Sequence, residues 1–165
     1  MTTFFVPGRP TAQGSKRHVG GGRMIEASIY LKPWRKTIAE VATHHRARDA
    51  ALFPDQALAV DLEFVVNRPK YAIGKLLPAI KRSTGDIDKL TRAVLDGLTG
   101  ICYRDDSQVT ALTARKRLAA PGEETGVWIT YRRDNTHLEQ DTPCVTPPSA
   151  ATASPPPSPT TTPVP

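Results

Sequence analysis

Two pairs of aspartates lie close together in the sequence and have the chemistry of a divalent-metal site. Asp86 and Asp88 flank one isoleucine, and Asp105 and Asp106 form a second pair further along. Carboxylates brought close together repel and raise each other's pKa, so a site that gathers them usually contains a cation. Mg²⁺ takes oxygen ligands and is typically held by one or two carboxylates plus substrate phosphate. The pattern predicts a phosphodiester-cleaving site in which Asp86, Asp88 and Asp106 bind Mg²⁺, with Mn²⁺ as a substitute.

The same aspartates have a simpler interpretation. Asp86 is a good helix N-cap, Asp88 suits the positive end of a helix dipole, and an Asp-Asp pair often forms a solvated turn. The alternative function is then a basic DNA-binding protein without catalysis.

Two other kinds of aspartate-containing site fit the sequence poorly. A phosphatase of the haloacid dehalogenase type needs a hydrophobic strand before its aspartates, and residues 81–85 are polar. A calcium-binding EF-hand loop needs an oxygen ligand where Leu90 stands.

An amphipathic helix is predicted to position the first aspartate pair. Its apolar stripe recurs at steps of three and four and consists of Ile87, Leu90, Val94, Leu98 and Ile101. Asp88, Arg92 and Asp96 are spaced four apart on the opposite face. Gly100 provides a stop signal, after which a turn carries the second pair into a strand.

The sequence resembles the signature of the RusA family of Holliday junction resolvases in two places, residues 85–98 and the Asp-Asp-Ser-Gln-Val of residues 105–109. The family pattern is roughly D-[LI]-D-N-L-x-K-A-x-x-D-A-L, a short loop, and D-D-x-Q-V. The resemblance is close over residues 86–109, and the order of elements fits from about residue 3 to 133. It implies a Mg²⁺-dependent endonuclease that acts as a homodimer and nicks four-way DNA junctions symmetrically. It also implies a cytoplasmic location in a bacterial or phage-infected cell.

Carried over by position, the resemblance makes Asp86, Asp88 and Asp106 the catalytic carboxylates, and the family's catalytic lysine falls at Arg92. Arginine keeps the positive charge but does not readily release a proton. We therefore expect Arg92 to stabilise negative charge on the phosphate. Lys89 stands where the family has asparagine.

Two further aspartates are second choices for a role at the site. We expect Asp105 to serve as an outer-shell ligand and Asp96 to orient Arg92. The mechanism does not depend on either residue.

The charge of the chain favours a polyanionic partner. It has 165 residues with 22 basic and 16 acidic side chains, a formal net charge of +6, and no charged residue after Asp141. We expect phosphate contacts from a Gly-rich basic loop over residues 9–23 and from the loop over residues 68–84. The predicted DNA-binding residues are Lys16, Arg17, Arg23, Lys70, Lys75, Lys81 and Arg82.

The predicted fold is α+β, with a mixed four-stranded sheet in the order β-α-β-α-β-β and two helices. Strands are expected over residues 3–6, 58–66, 108–118 and 125–131, the last two forming a hairpin. The first helix is expected to begin at about Lys32 and end near residue 50, with Trp34, Ile38, Val41 and Ala42 facing the core.

The chain is predicted to divide into an endonuclease domain over residues 1–135 and a disordered Pro/Thr/Ser-rich tail over residues 136–165. Neither Cys102 nor Cys144 is expected to form a disulfide, which favours a reducing compartment. The sequence has no membrane-length apolar run and no signal-peptide pattern, so we expect a soluble protein.

Overall fold

The computed structural model describes residues 1–14, 16–18, 24–26, 28–46, 56–73, 77–80 and 82–135, with only the backbone described for residues 16–18, 24–26 and 82. The elements in chain order are β1 (Thr2–Pro7), β2 (Lys16–His18), β3 (Met24–Glu26), α1 (Leu31–Arg46), β4 (Leu58–Val66), α2 (Ile87–Leu98), β5 (Val109–Leu118) and β6 (Gly126–Arg133). Two helices and a mixed four-stranded sheet confirm the predicted α+β class.

The four long strands form one sheet in the order β1-β6-β4-β5. β4 pairs parallel with β5 and antiparallel with β6, and β6 also pairs antiparallel with β1. The predicted hairpin between the last two strands is therefore wrong, because β4 lies between them. β4 is largely buried along its length and suits a central position, whereas β5 carries many exposed and polar side chains, as an edge strand does.

Both helices contribute to a core formed against one face of the sheet. α1 buries Trp34, Ile38 and Ala42, as predicted, while Val41 is only partly buried. α2 buries Leu90, Val94 and Leu98. The two helices approach closely where α2 has a glycine, since a Cβ at Gly97 would lie 3.0 Å from the Ile38 Cγ2 atom.

The Gly-rich basic segment contains more regular structure than the loop that was predicted. β2 lies within it and pairs antiparallel with β3, which follows the segment, with Arg17 opposite Ile25. Arg23 and the side chains of Lys16 and Arg17 lie outside the described residues, as do Cys144 and the whole predicted tail from residue 136. No helix in the described ranges is long and apolar enough to cross a membrane.

Candidate active site

Asp86 is presented by a tight turn at the start of α2. Gly85 has a φ of +78°, a conformation that favours glycine, and Asp86 follows as the N-cap residue in an extended conformation. The Asp86 side chain makes no capping hydrogen bond; it accepts one from Lys89 Nζ at 2.8 Å. Lys116 Nζ on β5 donates to the Gly85 carbonyl oxygen at 2.6 Å. The turn thus directs the Asp86 carboxylate away from the backbone amides that a cap would bind.

Asp88 and Arg92 lie one turn apart on the exposed side of α2. Within the described part of the chain, neither side chain has a hydrogen-bond or ion-pair partner. Ile87, predicted to belong to the buried stripe, is 40% exposed, so that part of the prediction is wrong. The first two turns of α2 therefore present a carboxylate, a guanidinium and an apolar side chain to solvent.

The structure gives the second aspartate pair two different roles. Asp105 Oδ1 accepts a hydrogen bond from the Ser107 amide at 3.0 Å, and Gln108 Oε1 accepts one from the Asp105 amide at 3.2 Å, which together cap a 3-10 turn over Asp106–Gln108. The hydrogen bonds from Ser107 hold the pKa of Asp105 below its ordinary value. Asp106 is exposed, and its carboxylate has no hydrogen-bond or ion-pair partner among the described residues.

The two aspartate pairs lie at opposite ends of α2. The helix has 12 residues, a length of about 18 Å. Near its C-terminal end, the Tyr103 hydroxyl donates to the Leu95 carbonyl oxygen at 2.8 Å. Burial raises the pKa of Tyr103 far above its usual value, and the nearby charges of Cys102, Asp106 and Asp96 raise it further. Asp106 therefore lies near the end of the helix that is distant from Asp86.

Within a single chain, the described residues contain no group of three or more His, Cys, Asp or Glu side chains that could hold a metal ion. Asp86 and Asp88 are close in sequence at one end of α2, and Asp106 is separated from both. Their assignment to one metal site stays a prediction.

Asp96 joins the two helices. Arg35 on α1 donates both to the Asp96 carboxylate and to Gln13 Oε1, the latter at 2.6 Å. The Gln13 amide donates to the Lys89 carbonyl oxygen at 3.0 Å. Asp96 and Arg92 share no hydrogen bond or ion pair in the described part of the chain. This arrangement fixes α2 against α1 and gives Asp96 a structural partner.

Of the predicted DNA-binding residues, Lys70 is the one with a described side chain, and it is exposed. Lys75 and Lys81, like Arg23, lie outside the described residues, and Arg82 is described only by its backbone in the 3-10 turn before α2.

Two cations near Gly85 were not named as DNA-binding residues from the sequence, although Arg9 begins the predicted basic loop. The Arg9 guanidinium lies 5.9 Å from the centroid of the Tyr30 ring, and Lys116 bonds to Gly85. Strand alternation provided a signal for Lys116, since it shares a face with the buried Leu118.

The remaining acidic residues of the sheet are paired with arginines. Arg117 donates to Glu63 Oε1 at 2.5 Å and makes two hydrogen bonds of 2.6 Å to Glu123, and Arg115 also bonds Glu63 at 2.8 Å. Hydrogen bonds from Arg117, and then Arg115, lower the pKa of Glu63, and those from Arg117 lower that of Glu123 to about 2. Asp61 pairs with Arg132 on the same face. These groups stabilise the sheet and stand apart from the candidate site.

Residues 7–130 match the family model of endodeoxyribonuclease RusA. The chain belongs to the RusA family. The match spans β4, α2 and β5 and includes both aspartate pairs, which confirms the resemblance carried by residues 86–109. A comparison with curated proteins found no match. The protein is thus a Holliday junction endodeoxyribonuclease, a hydrolase that acts on DNA junctions.

Proposed function

We propose that this RusA-family protein is a Mg²⁺-dependent homodimeric endonuclease that nicks two symmetry-related strands of a four-way junction. Asp86, Asp88 and Asp106 bind the metal. The observation that carries the proposal is the contrast between these residues and their neighbours. Asp88 and Asp106 are exposed and have no hydrogen-bond or ion-pair partner among the described residues, whereas Asp105 caps a turn and Asp96 pairs with Arg35.

The donor set fits Mg²⁺, or Mn²⁺ in its place, because the three groups are carboxylates that present hard oxygen ligands. When bound, such an ion polarises a phosphoryl oxygen and lowers the pKa of a bound water. Lys89 places its ammonium group 2.8 Å from Asp86 Oδ2 and so offsets the repulsion between the carboxylates of Asp86 and Asp88.

Arg92 stabilises the negative charge that develops on the scissile phosphate, in a position one helical turn from Asp88. Because a guanidinium does not readily release a proton, Arg92 contributes charge and hydrogen bonds rather than a proton. Arg9 and Lys70 supply cationic contacts to the flanking phosphates.

Each complete site is formed across the dimer. The partner subunit's Asp106 approaches Asp86 and Asp88 of the first subunit, and two-fold symmetry creates the same arrangement a second time. The separation of the aspartate pairs along α2 supports this arrangement, as does the edge position of β5, which follows Asp106 and pairs with β4 alone among the described strands. Two such sites suit symmetric nicking. We place this activity in the cytoplasm of a bacterial or phage-infected cell, on the basis of the family alone.

The proposal is tested with a synthetic four-way junction, Mg²⁺ and a denaturing gel that resolves nicks on each strand. We expect paired nicks with the unaltered protein and none with Asp88→Asn. The matched control is Asp61→Asn. It neutralises a carboxylate on the opposite face of the sheet, which pairs with Arg132 at 2.8 Å, and this variant should nick normally. Junction binding without Mg²⁺- or Mn²⁺-dependent nicks in the unaltered protein would instead support the non-catalytic DNA-binding alternative.

A further inference from the structure

An apolar cleft of about 170 Å³ lies beside the turn that presents Asp86. Ser83 and Thr84, immediately before Gly85, form one side of it. The rest of its lining is apolar and includes Pro69, Tyr71, Leu77, Pro78, Ile80 and Leu118. Tyr71 and Ile80 are 50% and 82% exposed, and they line the cleft together with Leu77, which is 39% exposed, so the exposed apolar groups cluster here.

Hydrogen bonds to the backbone hold the walls of this apolar cleft in place. Arg68 Nε donates to the Ala119 carbonyl oxygen at 2.6 Å, and its Nη1 donates to that of Ala72 at 2.9 Å. Thr84 Oγ1 donates to the Ala79 carbonyl oxygen at 3.1 Å, which connects the far wall to the turn before α2. A cleft that exists before its ligand arrives lowers the entropic cost of binding.

Ser83 and Thr84 also line a second, more polar cleft of about 340 Å³, which contains Arg9. The turn before Asp86 therefore has an apolar surface on one side and a guanidinium on the other. A nucleotide has the same two parts, a flat base that stacks on apolar and aromatic side chains and a phosphate that pairs with cations. This arrangement favours a nucleic acid over an apolar small molecule as the ligand.

Building on the proposed function, we propose that the apolar cleft binds one unstacked base at the branch point of the junction. Tyr71 and Ile80 contact the faces of the base, and the adjoining phosphate lies beside the turn before Asp86, where it pairs with Arg9. In continuous duplex every base is stacked and paired, and removing one costs free energy that is smaller where pairing is already interrupted. The mostly apolar lining offers few groups to read base edges, so the apolar cleft selects DNA structure rather than sequence.

The apolar cleft is too small for a partner helix. Pockets that hold drug-sized ligands are typically about 300–1,000 Å³, well above the 170 Å³ of this cleft. A single ring system is the ligand that this volume favours.

The test uses full-length protein carrying Asp88→Asn, so that DNA is bound but not cut, and a junction with 2-aminopurine at the branch point. Binding should raise the fluorescence of the probe, because 2-aminopurine brightens when it leaves the stack. Adding Tyr71→Ala or Ile80→Asp should abolish this rise and reduce the preference for junction over linear duplex about tenfold, the effect of losing one base stack. Tyr71→Phe should preserve both, since the ring remains.

The matched control is Trp128→Ala, which removes an aromatic side chain 44% exposed on the other face of the sheet. Its fluorescence rise and junction preference should equal those of the parent. Unchanged fluorescence and preference in Tyr71→Ala and Ile80→Asp would overturn the proposal. Sedimentation velocity tests whether the apolar cleft instead contacts a second subunit. Variants that no longer dimerise but keep the fluorescence rise would show that the apolar cleft is a subunit contact. Failure of the unaltered protein to nick would count against the catalytic function and leave the fluorescence test valid.

Discussion

Substitution of the adjacent residues Asp105 and Asp106 gives a matched test of the roles assigned to the second aspartate pair. Both residues are exposed and differ by one position, so Asp105→Asn and Asp106→Asn change the same charge in nearly the same place. The structure nevertheless separates them, since Asp105 accepts a hydrogen bond from Ser107 and Asp106 has no such partner among the described residues.

The expected magnitudes follow from these contacts. Asparagine is as good a cap as aspartate, so Asp105→Asn keeps the hydrogen bond to the Ser107 amide and should nick at close to the normal rate. Asp106→Asn breaks no described side-chain hydrogen bond or ion pair, so folding should be unaffected. It removes a proposed metal ligand, and metal catalysis provides several kcal/mol of transition-state stabilisation. A loss of at least about 100-fold in nicking rate is therefore expected.

The assay is single-turnover nicking of a labelled junction at several Mg²⁺ concentrations, with urea unfolding of each variant as the folding control. The unfolding midpoints of the two variants should match that of the unaltered protein. The assignment would be refuted if Asp105→Asn were inactive and Asp106→Asn nicked normally, because the capping residue would then be the one that chemistry requires.

Three further predictions concern the turn before α2 and the sheet. Lys89→Asn removes the cation that competes for the Asp86 carboxylate, so the Mg²⁺ concentration for half-maximal nicking should fall by about two- to fivefold, the scale of an exposed ion pair. Gly85→Ala places a side chain at a φ of +78° and should lower the free energy of unfolding by about 1 kcal/mol, measured in urea, and raise the Mg²⁺ requirement. Arg117 lowers the pKa of Glu123 from 4.5 to about 2, so the pair stabilises fully above about pH 4.5 and loses its effect as pH falls towards 2. Glu123→Gln should therefore destabilise by roughly 1 kcal/mol at pH 7 and hardly at all at pH 2.

The sequence predicted the elements better than their pairing. Residues 58–66 were predicted as a strand and form β4, because alternating and buried side chains leave few alternatives. The position of α2 followed from the spacing of Leu90, Val94 and Leu98. The pairing of β5 with β6 was wrong, because nearness in sequence favours a hairpin whereas the buried β4 requires partners on both edges.

The motif names the residues of the candidate site but does not give its geometry. Asp86, Asp88 and Asp106 follow from the motif, yet the motif does not say that a complete helix separates the first two from the third. The choice between Asp105 and Asp106 depends on resemblance and stays a prediction, while the hydrogen bond from Ser107 gives Asp105 a capping role. Strand alternation places Lys116 on the face of the buried Leu118, but its partner is the Gly85 carbonyl oxygen, which no sequence pattern marks.

Mixing two inactive variants tests the central claim, that each site combines Asp88 of one subunit with Asp106 of the other. Asp88→Asn and Asp106→Asn chains, each inactive alone, are unfolded together, refolded and given a four-way junction with Mg²⁺. Mixed dimers then contain one intact site, and nicking on single strands should return to about a quarter of the normal level, since half the dimers are mixed. A second mixture combines the unaltered chain with a chain that carries both substitutions. If its mixed dimers nick single strands normally while the first mixture shows no recovery, the whole site lies within one chain and the account is contradicted.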